Sequence, residues 1–598
     1  MILRGQLRGN VGRRQDLNSR PQRTLRLRPF CFCSLFSLSS LQPLASSLQN
    51  RYLGARAIAI MEAAGIHSIE LIFLLLLLFV AGLAALAKRF KTPYPIILVI
   101  GGLLLSFFPR VPRVELNPDL VFLVILPPLL FSSAFVTSWR DFRYNLFSIS
   151  MLALGLVVFT VRGVAEISRW ILPGFDSRLG LVLGAVVSTT DAIAATSIAK
   201  RLGIPKRITD VIEGESLVND ASGLLALELA VALVVSGAAP SLELRIERLL
   251  YLIAGSIVIG LLIARLIYYM ETKIDDSSIE ITLSLIAPYF AYLAGESAHA
   301  SGVLATVVCG LYLGHKSSLY LSLGARLKGA AVWDTLTFIL NGFVFILLGL
   351  QLPYVLEGIH EYSMGRLLLL GGMFSAVVIG LRMLWVFPGA WFSNFVRTRF
   401  LHQPQSFTNP RGILIIGWTG MRGVVALAAA ISLPEVLANG APFPQRNLII
   451  FLTFSVIFVT LVLQGLTLPP LIRYLGLSNS GDADPEEDQA RRDMIAAALA
   501  YLEAAKEGDN PEFESVYNEL IQIQRYRLSR LDARQPSSSE RDATRYERYF
   551  ELAREVRALQ RATILNLRNE GQIGDETLRK LEYELDLLDA QSSAAATR

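Results

Sequence analysis

Four polar residues, Glu215, Ser216, Asn219 and Asp220, lie inside a stretch, Ile208 to Val235, that otherwise reads as hydrocarbon-spanning. At 3.6 residues per turn, offsets of one, four and five put these side chains on one helix face. A carboxylate at the centre of a bilayer costs roughly 2.5–3.5 kcal/mol on insertion scales, so it needs a partner, a proton or a cation. The chemistry open to such a group is the exchange of one neutraliser for another.

Two further apolar stretches are interrupted by small, hydroxyl and charged residues. One contains Val187-Ser-Thr-Thr-Asp191-Ala, the other Gly417-Trp-Thr-Gly-Met-Arg422-Gly. Such residues let a helix unwind at mid-span, so that carbonyls and half-helix ends can face an ion. Unwound backbone is tolerated at that depth only where protein or a watery cavity surrounds it. Asp191 can cap a half-helix, and Thr190 can back-bond to its own helix or offer an oxygen to a cation. Glu215 is expected to pair with Arg422, tying two helices together without leaving two lone charges. Asn219 reads as an orienting hydrogen-bond partner. No second basic residue is evident for Asp220, which is therefore the expected exchanging carboxylate. Glu228, two turns further on, has no assigned role; His299 reads as a surface residue, and Pro127-Pro128 as a kink.

The elements that must hold these residues are helices in a membrane. The chain has 598 residues, 53% of them hydrophobic, and a mean hydropathy of +0.47. Apolar segments fall near 69–87, 94–108, 119–137, 145–164, 179–199, 208–235, 247–269, 279–296, 301–315, 331–352, 365–391, 411–432 and 447–471. These are thirteen candidate spans of an all-α polytopic membrane protein. Between residues 61 and 475 every lysine falls at an odd-numbered connection. The positive-inside rule then sets the N-terminus outside and the C-terminus in the cytoplasm. The interrupted spans are the fifth and the twelfth, seven apart, as two inverted six-helix repeats joined by a linker helix would give.

Residues 1–60 hold ten arginines, no lysine and one acid, Asp16, and are expected to be a targeting segment or a start assigned too far upstream. Their charge of +9 accounts for the basic balance of a chain whose net charge is +6, so the remainder carries no nucleic-acid signal. Three cysteines and five scattered histidines give neither a disulfide framework nor a metal cluster. No phosphate-binding G-x-x-x-x-G-K-[ST] motif occurs, so an ion gradient is the expected energy source. From about Ser478 the composition turns charged. Helical patterns start at Asp484-Pro-Glu-Glu and recur near 512–533, 540–569 and 575–590, with a Pro-Ser-Ser-Ser linker at 536–539. This region, 477–598, is either a solvated helical tail or a regulatory or dimer-supporting domain.

Glu213-Gly-Glu-Ser-Leu-Val-Asn-Asp220, Leu126-Pro-Pro-Leu-Leu-Phe131, Ser188-Thr-Thr-Asp191, Ser301-Gly-Val-Leu-Ala305 and Gly420-Met-Arg-Gly423 together resemble the monovalent cation:proton antiporter-1 family, the sodium/proton exchangers. The resemblance runs in order over roughly Ile69 to Gly476. The tail, with Arg568-Asn-Glu-Gly-Gln-Ile-Gly-Asp, resembles bacterial members more than animal ones. It implies a transmembrane antiporter domain over 61–476, with about thirteen helices in two inverted repeats and crossed discontinuous helices. It implies a dimerisation domain, a mobile core domain and a homodimer in the plasma membrane.

By the same resemblance Asp220 binds either a transported Na+ or a proton, Thr190 and Ser216 help ligate the ion, and Glu215 pairs with Arg422. The Asn-Asp pair implies electroneutral one-for-one exchange. The expected protein is a secondary transporter, not an enzyme, with no cofactor and no partners beyond the cation, the proton and the bilayer. A K+/H+ antiporter and a cation channel are the alternatives. Two departures bear on cation selectivity. Ser132 stands where many members carry an acid, and Ala192 where proline is common.

Overall fold

A computed structural model describes residues 71–108, 116–172, 174–236, 242–359, 362–400, 402, 409–437, 440–478, 485–508, 510–532 and 540–596. The segment 1–60 and the linker at 536–539 lie outside the described residues. The chain divides into two compact units, Met1–Leu75 and Leu76–Arg598, and the second holds both broken helices and the tail. Among the described residues the protein is helical apart from an isolated bridge between Val436 and Pro442.

Helices occupy all of the apolar segments. They are α1 (Leu71–Arg89), α2 (Tyr94–Ser106), α3 (Leu120–Val136), α4 (Trp139–Ile171), α5 (Ser177–Val186), α6 (Ile193–Arg201) and α7 (Lys206–Ser236). There follow α8 (Leu242–Glu271), α9 (Ser277–Ser297), α10 (Gly302–Tyr320), α11 (Leu323–Glu357), α12 (Met364–Arg399), α13 (Pro410–Trp418), α14 (Val424–Ile431) and α15 (Arg446–Tyr474). Among the described residues eight helices are long and apolar enough to cross a bilayer: α1, α4, α7, α8, α9, α11, α12 and α15. α2, α3 and α5 are shorter but apolar.

Side-chain oxygens at the first turns explain where many of these helices begin. Asp176, Asp276, Ser301, Ser322 and Asn409 each accept a backbone N–H of the turn that follows. One boundary moves well away from the apolar run. α4 starts six residues before the expected 145, because Ser138 accepts the Asp141 N–H at 3.3 Å and makes the charged Arg140–Arg143 turn helical. In α3 the two prolines follow a wider, π-type turn over Leu120–Ile125. Pro128 has no N–H for the Val124 carbonyl four residues back, and the Tyr289 hydroxyl donates to that carbonyl at 3.1 Å instead.

Beyond the apolar part, α16 (Pro485–Gly508), α17 (Glu514–Asp532), α18 (Glu540–Asn569) and α19 (Asp575–Ala596) form the tail. Each expected tail segment is helical where it is described. α16 faces α17 through Arg525–Glu503 at 3.0 Å and Lys506–Glu514 at 2.9 Å. α18 faces α19 through Arg557 and Arg561, which hold Asp589 and Asp586.

Candidate functional site

Both expected interruptions are present. α5 stops at Val186 and α6 begins at Ile193, while α13 stops at Trp418 and α14 begins at Val424. The two breaks touch, for the Asp191 N–H donates to the Met421 carbonyl at 2.9 Å. Gly423 makes this approach possible, since a Cβ there would overlap the Asp191 carboxylate.

Every break frees backbone groups from their helical partners, and those that are buried need others. At the N-terminal end of α6, Asp191 Oδ1 accepts the Ile193 N–H at 2.8 Å. Ser216 Oγ accepts the Ala192 N–H at 3.3 Å and donates to the Thr190 carbonyl at 3.0 Å. At the carbonyl end of α5, Arg422 Nη1 donates to Ser188 O at 3.0 Å and to Thr189 O at 3.2 Å. Asn219 Nδ2 joins it, donating to Ser188 O at 3.1 Å and to Thr190 Oγ1 at 2.8 Å. At the carbonyl end of α13, Arg382 donates from Nε to Gly417 O and from Nη2 to Ile416 O, both at 3.0 Å. The negative ends of both half-helices thus face a guanidinium, as the helix dipole favours.

This arrangement corrects the expected ion pair. Glu215 is held by Arg382 of α12, with Nη1 2.5 Å from Oε1 and Nη2 2.9 Å from Oε2, and the two side chains are 1% and 2% exposed. The fork of one planar guanidinium matches the two carboxylate oxygens. Arg422 is instead committed to the carbonyls of the first break, and its Nε and Nη2 make no hydrogen bond among the described residues. Thr190 Oγ1 adds a third donor to Glu215, at 3.3 Å. Arg382 had a signal in the sequence. It is the one charged residue between Arg366 and Arg397, in a run otherwise apolar enough to span.

Asp220 differs from Glu215. It is 6% exposed, and among the described residues its carboxylate makes no hydrogen bond and no ion pair. It borders a cavity of about 200 Å³, also lined by Thr190, Asp191, Ser216, Ser133 and Asn341. The cavity reaches Lys200 and Glu213, whose ion pair of 2.9 Å lies at its solvent-facing side. The structure therefore gathers Asp220, Thr190, Ser216, Asn219, Asp191, Glu215 and Arg422 at one crossing. Two guanidiniums and three carboxylates meet there, leaving one formal negative charge.

The two departures also take definite places. Ser132 spends its hydroxyl on the Leu129 carbonyl at 3.0 Å, and its neighbour Ser133 lines the cavity. Ala192 supplies the N–H that Ser216 accepts, a donor that proline lacks. Glu228 stands apart, 3.5 Å from Arg248.

Comparison with known proteins places the chain in a family. The family model for the transmembrane sodium/hydrogen exchangers matches residues 74–474. The chain is 33% identical over 514 residues to an uncharacterized Na+/H+ exchanger of Mycobacterium tuberculosis, covering 85% of this chain and 93% of that one. It is 31% identical over 530 residues to the sodium, potassium, lithium and rubidium/H+ antiporter of Bacillus subtilis, covering 86% and 77%. The fold resembles that of the sodium proton antiporter MjNhaP1 from Methanocaldococcus jannaschii, with a TM-score of 0.54 at 20% identity over 68% of this chain and 98% of that one. With a family model matched over most of its length and two touching broken helices in a helical membrane fold, the chain belongs to the sodium/hydrogen exchanger family.

Proposed function

We propose that the protein is a secondary antiporter that exchanges a monovalent cation, Na+ first, for H+ at Asp220. The observation that carries this reading is a buried carboxylate that borders a cavity and has no partner among the described residues, on the same helix as one that is fully paired. A proton or a cation must neutralise it in a low-dielectric setting. One of either also cancels the single formal charge left at the crossing. The two loaded forms then carry equal charge, which supports one-for-one, electroneutral exchange. The bare carboxylate makes crossing of the empty carrier costly, so the two fluxes are coupled.

The supporting residues hold the geometry. Ser216 and Thr190 present oxygens to the cavity, Asn219 orients Thr190, and Asp191 fixes the start of α6 beside Asp220. Arg382 with Glu215 and Arg422 keep the unwound segments closed against each other. Alternating access is assigned to a core containing the broken helices, within thirteen spans arranged as two inverted repeats. The N-terminus is outside and the C-terminal tail cytoplasmic and regulatory, in a homodimer of the plasma membrane. The potassium, lithium and rubidium in the Bacillus subtilis relative's name favour a second reading in which K+ is also carried.

A pH-dye assay in inverted vesicles tests the proposal, with Na+, Li+ and K+ added separately. Wild type is expected to restore dye fluorescence, and D220N to insert normally and leave the signal flat. Normal exchange by D220N would sink the reading. Rates that change when the membrane potential is clamped would remove electroneutrality, and continuous conductance would favour a channel.

A further inference from the structure

A second pair of buried acids lies away from the broken helices. Glu271 ends α8 and Glu280 sits in the first turn of α9, 1% and 0% exposed and beside each other across the α8–α9 turn. Glu280 Oε2 accepts the Ser322 N–H at 2.9 Å, which ties it to the turn between α10 and α11. Glu280 Oε1 and both oxygens of Glu271 are buried and accept no hydrogen bond among the described residues.

The groups facing this pair supply no positive charge. From α10 come the Tyr320 hydroxyl and the Cys309 thiol; Tyr320 lies beside Glu271 without reaching hydrogen-bond geometry. Lys273, on the adjoining turn, lays its ammonium over the Tyr269 ring, 5.8 Å from the centroid. Among the described residues no Lys, Arg or His forms an ion pair with either acid.

Two adjacent ionised carboxylates repel each other, and burial adds a desolvation cost for each that the one Ser322 donor offsets only in part. Their positions are not equivalent. Glu280 has a backbone donor and stands at the positive end of α9, where an anion is favoured. Glu271 stands at the negative end of α8, with no donor. We infer that Glu271 and Glu280 form a second proton-binding site, with the proton on Glu271, donated to the free Glu280 Oε1. That bond joins the end of α8 to the start of α9 and, through Ser322, to the α10–α11 turn. The site is separate from Asp220 and independent of whether Asp220 carries the exchange.

Infrared difference spectra of the full-length protein in nanodiscs at neutral pH test the assignment without transport. Wild type minus E271Q is expected to lose a protonated carboxyl band, and wild type minus E280Q a carboxylate band. Loss of a carboxylate band in E271Q would overturn the inference, and a sodium-dependent rise in Tm alongside it would place a cation there instead.

Stability against pH supplies the second arm. From about pH 4.3, where the unfolded chain has released this proton, up to its release from the folded site, each pH unit weakens folding by up to tenfold. The Tm of wild type and of D220N is therefore expected to fall as pH rises through that interval and to level off above it. E271Q keeps a permanent donor and should flatten that fall. A slope in E271Q equal to wild type would also overturn the inference. Should E271Q not yield folded protein, E280Q carries the same test, because it removes the neighbouring anion.

Discussion

Glu215 and Asp220 are five residues apart on α7, both buried, and their surroundings are opposite. Glu215 receives two bonds from Arg382 and one from Thr190, so its charge is matched within the protein. Asp220 receives none among the described residues and borders a cavity instead. One acid is matched by a guanidinium, and the other faces open space. Shared helix and burial do not set the role of a carboxylate; the donors brought to it from other helices do.

The sharpest way to break this comparison is to neutralise each acid in turn. D220N is expected to abolish exchange while leaving Tm near wild type. The amide of E215Q leaves Arg382 without a counter-charge, so it should lower Tm before it alters coupling. Equal loss of stability in both variants, read by thermal unfolding, would remove the distinction.

The next effect is on Arg382. Removing one member of a buried ion pair costs about 3–5 kcal/mol, because the other charge is stranded. R382M should therefore yield little folded protein by size-exclusion chromatography, and an R382M/E215Q double variant should recover part of the loss. Without that recovery, the pair would not be what Arg382 contributes.

A smaller effect is expected at the contact between the breaks. G423A places a methyl against the Asp191 carboxylate, and overpacking of this kind costs roughly 1–3 kcal/mol. Exchange should slow as Asp191 shifts, with D220N-like silence not expected. Unchanged Tm and rate would mean that the two breaks are not in close contact.

The smallest effect lies in the tail. Hydrogen bonds from Arg561, with help from Arg557, hold the Asp589 carboxyl below its usual range. Its folded value is depressed, so its contribution is complete above the unfolded value of about 3.9 and is lost as pH falls through the lower folded one. Hydrogen exchange across 540–596 should quicken only in that acidic window. An unchanged profile there would leave these ion pairs without influence.

Much of the site is legible in the sequence. Ser188-Thr-Thr-Asp191 and Gly420-Met-Arg-Gly423 are poor choices for a smooth apolar helix, and the helices break there. The spacing of Glu215, Ser216, Asn219 and Asp220 placed four side chains on one face, and all four meet the crossing. The partner of Glu215 was not legible. Arg382 and Arg422 are both lone arginines in apolar runs, and 167 residues separate Glu215 from the one that holds it. The Glu271–Glu280 pair was missed for a related reason, since each sits at a helix end where an acid ordinarily faces water.

Composition and periodicity by themselves determined a polytopic helical membrane protein, its two interrupted helices and the polar face between them. These properties depend on residues close in the chain, through helix propensity, hydropathy and a fixed rise per turn. Only the tertiary structure decided which guanidinium meets which carboxylate, and that Asp220 is left beside a cavity with no partner among the described residues. Those choices depend on how α12 and α13 pack against α7, and a contact between distant segments leaves no periodic trace in either one.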